Sequence, residues 1–121
     1  MEIINKNQYE SKITQSQKGL VSIIIPVYNG EYYLNELIEN LVNQTYKKIE
    51  IITVDNNSTD NSLELLKVLS KEKTFLRIFS NKKNEGYCGG CNKGIENAYG
   101  EFLLFLSQDR IMNNDWIEKV V

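Results

Sequence analysis

The chain contains four short runs of apolar, largely β-branched residues, which are separated by more polar segments. The runs cover residues Leu20–Val27, Ile49–Val54, Phe75–Phe79 and Glu101–Leu106. Near-continuous apolar runs of this length are typical of strands that are buried on both faces of a parallel sheet. The sequence therefore predicts four strands in one sheet, covered by helices on both sides.

Apolar residues three and four positions apart occupy the segments between and after these runs, which predicts amphipathic helices. The predicted helices span Glu31–Gln44, a segment through Leu63, Leu66 and Leu69, Tyr87–Tyr99, and a last segment around Trp116 and Ile117. We expect Ser58 or Thr59 to cap the second helix and Asn113 or Asn114 to cap the last.

The alternation of strands and helices predicts an α/β fold with a Rossmann-like, mostly parallel sheet and flanking helices. Residues 1–19 are polar and have no clear periodicity. We interpret them as a flexible or loosely docked N-terminal extension. The folded domain is then expected over residues 20–121.

The composition of the chain excludes several kinds of catalytic site and metal site. The 121-residue chain has no His, so triads, dyads and metal sites that need imidazole are excluded. Its two Cys are too few for a Cys/His zinc site or a disulfide scaffold, so a reducing compartment is expected. A net charge of −2 gives no reason to expect nucleic-acid binding. No apolar run is long enough to span a bilayer, and the polar start is not typical of a signal peptide.

Polar residues follow each predicted strand, and the carboxyl ends of parallel strands meet at the edge where ligands bind. Asp55 and Asp109 each follow a buried strand. Either carboxylate could cap the turn that comes after it. Alternatively, one could accept a hydrogen bond from a base, or coordinate Mg²⁺ or Mn²⁺ together with substrate phosphates. The residues alone leave both alternatives open.

Glycines cluster at the start of the third predicted helix, where they suit either close approach of a ligand or tight packing. The turn after the first strand reads P-V-Y-N-G, so the chain lacks the G-x-G-x-x-G dinucleotide fingerprint. Cys88 and Cys91 form a C-x-x-C that resembles a redox motif. Their spacing with Ile95 and Ala98 instead predicts two small residues on a packing face.

Four segments in this order resemble the nucleotide-sugar-binding part of family 2 glycosyltransferases, which have the GT-A fold. The resemblance covers Leu20 to Val121. It is carried by V-S-I-I-I-P-V-Y-N-G (Val21–Gly30), V-D-N-N-S-T-D (Val54–Asp60), N-E-G-Y-C-G-G-C-N-K-G (Asn84–Gly94) and G-E-F-L-L-F-L-S-Q-D (Gly100–Asp109). The last segment stands at the place of the family's D-x-D motif.

The resemblance implies a donor site for a nucleoside-diphosphate sugar. The residues that match the family's binding positions are Pro26 and Tyr28 at the base and ribose, Asp55 as the partner of the base, Asn84 and Gly86 at the nucleotide border, and Ser107 and Asp109 at the diphosphate. Asp109 is also the implied ligand of Mg²⁺ or Mn²⁺. Ser107 replaces the first acid of D-x-D, so this metal site is expected to be weak. The catalytic base is not assigned, because neither Asp115 nor Glu118 aligns with it.

The implied function is transfer of a sugar from a nucleoside-diphosphate donor to an acceptor hydroxyl, in the synthesis of a cell-surface polysaccharide or glycan. The chain would be the donor-binding portion of a truncated GT-A domain. A non-catalytic nucleotide-binding or assembly module of the same fold is the alternative, and a redox or receiver-like domain is a third. We expect a cytoplasmic location, or a peripheral one at the inner membrane face, and a homodimer formed through an uncovered sheet edge.

Overall fold

The computed structural model of the chain describes residues 2–5 and 16–121. The strands are β1 (Glu2–Asn5), β2 (Gln17–Val27), β3 (Ile49–Asp55), β4 (Leu76–Ser80) and β5 (Gly100–Phe105). The helices of this part of the chain are α1 (Glu31–Val42), α2 (Ser62–Glu72), α3 (Gly86–Asn97) and α4 (Trp116–Val120). The predicted alternation of strands and helices from β2 onward is confirmed, with boundaries that differ by a few residues.

The described strands form one sheet in the order β1-β5-β2-β3-β4. The four strands from β2 to β5 are mutually parallel where they pair, and β1 pairs antiparallel with β5. The predicted mostly parallel sheet is therefore confirmed, with one added antiparallel strand. No helix in the described ranges combines the length and the apolar composition needed to cross a bilayer.

The predicted N-terminal extension contributes to this sheet at two places. Glu2–Asn5 forms β1, and β2 begins at Gln17, three residues before the predicted strand start at Leu20. The register of β2 against β5 shifts between Gln17 and Val21. This irregular and polar start of β2 has no signal in the apolar pattern. Apart from Ser16, the other residues of the predicted extension lie outside the described residues.

Strand β2 is buried on both faces, and alternate residues supply two separate cores. Val21, Ile23 and Ile25 face the core that α1, α2 and α4 cover. Ile24 faces the second core, which α3 covers. Side chains of a strand alternate between the two faces of a sheet, so one apolar run builds both cores. The result is a three-layer α/β/α arrangement.

Buried polar groups join the amino ends of the parallel strands on the side where α3 ends. Glu50 accepts hydrogen bonds from the Ser22 hydroxyl (2.6 Å) and the Tyr99 backbone N–H (2.7 Å). Its other carboxylate oxygen lies 2.9 Å from Arg77 Nη1, which also donates to the Asn97 carbonyl. The guanidinium stacks 4.6 Å from the centre of the Tyr99 ring. We call Ser22, Glu50, Arg77 and Tyr99 the charged cluster.

Candidate functional site

The carboxyl ends of the parallel strands lie side by side, as predicted. Val27 is the register partner of Asp55, and Asp55 is the partner of Ser80. The Leu106 N–H donates to the Ile24 carbonyl, so the segment after β5 continues along β2. The polar segments that follow all four strands therefore gather at one edge of the sheet.

A cleft of about 290 Å³ opens at this edge. The residues that line it are Pro26, Val27, Tyr28, Asn56, Asn84, Gly86, Tyr87, Ser107 and Gln108. Five of the seven predicted binding residues are in that set, namely Pro26, Tyr28, Asn84, Gly86 and Ser107. The structure thus brings together residues that are distant in the sequence, and we call this space the donor cleft, after the binding site that the resemblance predicts.

Asp55 lies outside the lining of the cleft and is 1% exposed. One carboxylate oxygen accepts the Ser58 backbone N–H (3.0 Å), and the other accepts the Ser58 hydroxyl (2.6 Å). This arrangement matches the capping alternative, in which an Asp side chain closes the turn after its own strand. It also explains why the predicted cap of α2 is wrong: the Ser58 hydroxyl is directed at Asp55, and α2 begins four residues later, at Ser62.

Asn56 is one of four cleft residues that the sequence interpretation missed, and the others are Val27, Tyr87 and Gln108. The Asn56 side chain is buried and donates to the Gly86 carbonyl (3.0 Å). The amide oxygen accepts hydrogen bonds from Asn81 Nδ2 (2.8 Å) and the Glu85 backbone N–H (3.4 Å). Asn56 therefore joins the end of β3 to the polar loop before α3. The available signal was its place beside Asp55, where the family motif has a second acid.

The loops after β2 and β3 are joined by a second group of hydrogen bonds. The Asn29 side-chain oxygen accepts the backbone N–H groups of Thr59 (2.8 Å) and Asp60 (3.3 Å). Asn29 has a φ of 47°, a left-handed conformation that Asn adopts more readily than most residues. Slight burial acts to raise the pKa of Asp60, but hydrogen bonds from Ser62 and from the Glu31 N–H outweigh it, so the pKa is lowered.

The segment after β5 contacts Tyr28 through Gln108. The Gln108 side-chain oxygen accepts the Tyr28 backbone N–H, and its amide nitrogen donates to the Tyr28 carbonyl, each at 3.0 Å. Asp109, the next residue, is exposed and is not part of the cleft lining. No group of three or more His, Cys, Asp or Glu residues within the described ranges is arranged to hold a metal ion.

The glycines of α3 serve close packing against the sheet. A Cβ on Gly90 would lie 2.8 Å from Pro26 Cβ, and a Cβ on Gly94 would lie 2.4 Å from Ile24 Cγ2.

The prediction that both cysteines occupy a packing face is confirmed for Cys91, which is buried, and is wrong for Cys88, which is exposed. The predicted cap of the last helix, Asn113 or Asn114, is wrong, because the N-cap residue of α4 is Asp115.

Comparison with known proteins identifies the family. The profile of Glycosyl transferase family 2 matches residues 22–121. An uncharacterized glycosyltransferase of Haemophilus influenzae is 42% identical over 101 residues, which are 83% of this chain and 40% of that protein. Glycosyltransferase GlyG of Streptococcus pneumoniae is 36% identical over 99 residues, which are 82% of this chain and 33% of that protein. The chain thus spans less than half of the length of these relatives.

Solved structures show the same fold. S. aureus TarS 1–349 in complex with UDP superposes with a TM-score of 0.76 at 31% identity, over 83% of this chain and 30% of that one. The complex of the same protein with UDP-GlcNAc gives 0.74 at 30% identity, over 83% of this chain and 29% of that one. Mannosyltransferase PcManGT from Pyrobaculum calidifontis, solved with GDP-Man and Mn²⁺, gives 0.76 at 24% identity, over 80% of this chain and 30% of that one. The chain belongs to glycosyltransferase family 2 and has the GT-A fold.

Proposed function

We propose that this chain binds the donor of a glycosyltransferase, which transfers a sugar from a nucleoside diphosphate to an acceptor hydroxyl. The observation that carries the proposal is the donor cleft at the carboxyl edge of the parallel sheet. This is the edge where open α/β sheets bind ligands, and five residues named from the sequence meet there. TarS, a relative in fold and sequence, has been solved with UDP and with UDP-GlcNAc. Uridine donors are therefore the first to test.

The walls of the cleft suit a nucleoside. The lining includes Pro26 and two half-exposed aromatic side chains, Tyr28 and Tyr87. Aromatic faces stack with bases and are tolerant of base identity. Asn56, Asn84 and the backbone at Gly86 add amide groups to the same lining. In this proposal Pro26 and Tyr28 contact the base and ribose, and Asn84 and Gly86 border the nucleotide.

The diphosphate would lie toward Ser107 and Asp109. Mg²⁺ and Mn²⁺ prefer oxygen ligands, and Mg²⁺ in particular is often held by one or two carboxylates together with substrate phosphates. The exposed Asp109 carboxylate fits the role of a single protein ligand of this kind. Since Ser107 stands where a second acid would be, most of the ligands would come from the donor itself. A bound cation would offset the charge that develops on the leaving diphosphate.

Asp55 has a different place in the proposal from the one its motif implies. Its two carboxylate oxygens bind Ser58, and Asn56 rather than Asp55 lines the cleft. We therefore propose that Asp55 supports the cleft by shaping the turn after β3. The contact with the base is then left to neighbouring groups of the lining.

Thermal unfolding with nucleotides tests the proposal. We expect UDP or UDP-GlcNAc, in the presence of Mn²⁺, to raise the Tm by several degrees, because a ligand at 100 times its Kd adds about 2.7 kcal/mol to stability. GDP-Man and dTDP-sugars are the comparison donors, and sulfate at equal ionic strength is the control. If no nucleotide raises the Tm at millimolar concentration, the donor-binding proposal is refuted.

A non-catalytic module of the same fold is the second candidate. The observation in its favour is that no carboxylate lines the donor cleft among the described residues. Asp115 pairs with Lys119 at 3.1 Å, and Glu118 accepts a hydrogen bond from the Thr45 hydroxyl at 3.2 Å. Release of UDP from UDP-GlcNAc, measured with the chain at saturating donor, tests the module, because any turnover would exclude it.

The remaining parts of the proposal concern the surroundings of the enzyme. We propose an acceptor hydroxyl on a cell-surface polysaccharide or glycan, and a cytoplasmic or inner-face location that suits the exposed thiol of Cys88. Self-association is expected through an edge strand, and the two edges of the described sheet are β4 and β1. Light scattering of the purified chain tests the homodimer.

A further inference from the structure

We infer that Gln108 is a positioning residue that fixes the two ends of the donor cleft relative to each other. The inference rests on the proposed function, since it concerns how that cleft holds a donor. Tyr28 lies at the proposed nucleoside end, and Ser107 and Asp109 lie at the proposed diphosphate end. Gln108 stands between Ser107 and Asp109 in the sequence, and its side chain contacts the backbone of Tyr28.

The contact uses both halves of the Gln108 amide. Its oxygen accepts the Tyr28 N–H and its nitrogen donates to the Tyr28 carbonyl, so the side chain pairs with the backbone as a neighbouring strand would. Strand β5 ends at Phe105, and Leu106 makes the next backbone bond to β2, at Ile24. The Gln108 amide thus extends the connection between these two segments to Tyr28, beyond the point where both strands have ended.

Gly30 provides the space for this side chain. A Cβ on Gly30 would lie 2.5 Å from the Gln108 side-chain oxygen and 2.9 Å from its Cδ. A Cβ is essentially never found this close to a non-bonded atom, so any larger residue at position 30 displaces the Gln108 side chain. The backbone of Gly30 has a φ of −103°, which other residues adopt readily. The requirement for glycine is therefore imposed by Gln108 and not by backbone strain.

Two other amide side chains provide a comparison. Asn40 makes the same two-way contact with the backbone of Met112, and Gln44 contacts Asn113 and Ile117. These contacts attach the later part of the segment after β5 to α1 and to the residues just after it, away from the cleft lining. Gln108 is the member of this group of three whose contact lies in the donor cleft. Gln44 is therefore a matched control for loss of an amide.

Binding of UDP, with Mn²⁺ present, is the primary test. We expect Gln108→Ala to weaken UDP binding about tenfold, the effect of losing one to two hydrogen bonds. Gln44→Ala is expected to lower the Tm more, because Gln44 is fully buried, and to leave the UDP affinity of the folded protein unchanged. Equal UDP affinity of Gln108→Ala and the unsubstituted protein would overturn the inference.

Gly30→Ala tests the same contact from the other side. It should weaken UDP binding as much as Gln108→Ala does, and the double variant should bind no worse than either single variant, because both remove one interaction. Fully additive losses in the double variant would contradict a shared cause. The result for Gly30→Ala alone remains informative even if Gln108→Ala impairs folding.

Gln108→Met adds a readout that a role in packing alone does not predict. Met is about as long as Gln but has no amide, so it fills similar space without pairing with the Tyr28 backbone. UDP affinity should therefore fall about as far as in Gln108→Ala. If Gln108→Met restores the affinity of the unsubstituted protein, the amide contact does not position the cleft.

Failure of the inference and failure of the proposed function give different results. If the unsubstituted protein binds no nucleotide, donor binding is refuted, and the Gln108 tests then have no signal to change. If it binds UDP and all three substitutions leave the affinity intact, donor binding stands and the positioning role of Gln108 is refuted.

Discussion

The two ends of the parallel strands both carry polar side chains, but their chemistry differs. At the amino ends, the charged cluster places Glu50, 7% exposed, against Arg77. At the carboxyl ends, the described residues that line the donor cleft supply amides, a hydroxyl and aromatic rings, and none of them has a charged side chain. Buried charge is stable only when every polar atom is paired, whereas neutral amides can remain at an open surface at little cost. The amino ends of the strands thus hold their charged groups in fixed pairs, whereas the carboxyl ends leave neutral polar groups accessible to a ligand.

The largest effect is expected from breaking the charged cluster. Glu50→Ala leaves Arg77, the Ser22 hydroxyl and the Tyr99 N–H without their shared partner. We expect a loss of about 3–5 kcal/mol in the free energy of unfolding, measured by urea denaturation. Glu64→Ala, which removes an exposed ion pair with Lys67, is the control and should cost under about 1 kcal/mol. Similar small losses from both substitutions would show that the cluster does not stabilise the fold.

A second prediction compares two glycines on one helix. Gly94→Ala forces a methyl group against Ile24 in the second core, and we expect it to cost about 1–3 kcal/mol. Gly90→Ala forces a methyl group against Pro26 and Asn56, so its main effect should be weaker UDP binding. Ala favours a helix over Gly by about 1 kcal/mol. If both variants gain stability, α3 has room to move and the glycines are not needed for close packing.

The smallest effect concerns Asp60, between the two loops behind the cleft. Its pKa is lowered in the folded chain, so its charged form stabilises the fold above its ordinary pKa of 3.8. This contribution is lost as the pH falls through the lower folded pKa. We expect Asp60→Asn to be less stable than the unsubstituted protein near neutral pH, with a difference that shrinks in acid. Urea midpoints across this range measure it, and a constant difference would contradict the assignment.

The sequence predicted the architecture because apolar periodicity reports burial directly. The run Val21–Val27 is buried on both faces, as its continuous apolar character indicated. The same reasoning placed the polar strand ends at one edge, since parallel strands point the same way. Strand β1 was not predicted, because four residues at a sheet edge carry too little pattern to be distinguished from a polar extension.

Hydrogen bonds between side chains and backbone were the part that the sequence could not predict. The capping prediction for Ser58 was wrong because the nearby carboxylate of Asp55 binds its hydroxyl. No role was predicted for Asn56 or Gln108, although both join loops around the cleft. An amide can pair with any backbone group within reach, so its partner depends on the tertiary structure and leaves no periodic signal.

The contact between Tyr28 and Gln108 joins residues that are 80 positions apart, and this separation has a consequence for synthesis of the chain. At roughly 5–20 residues per second, a ribosome needs about 4–16 s to add the intervening chain. During that interval β2, which is apolar throughout its second half, has no β5 to pair with. In the nascent chain β2 can therefore pair with β3 but not with β5, and the cleft is expected to assemble last.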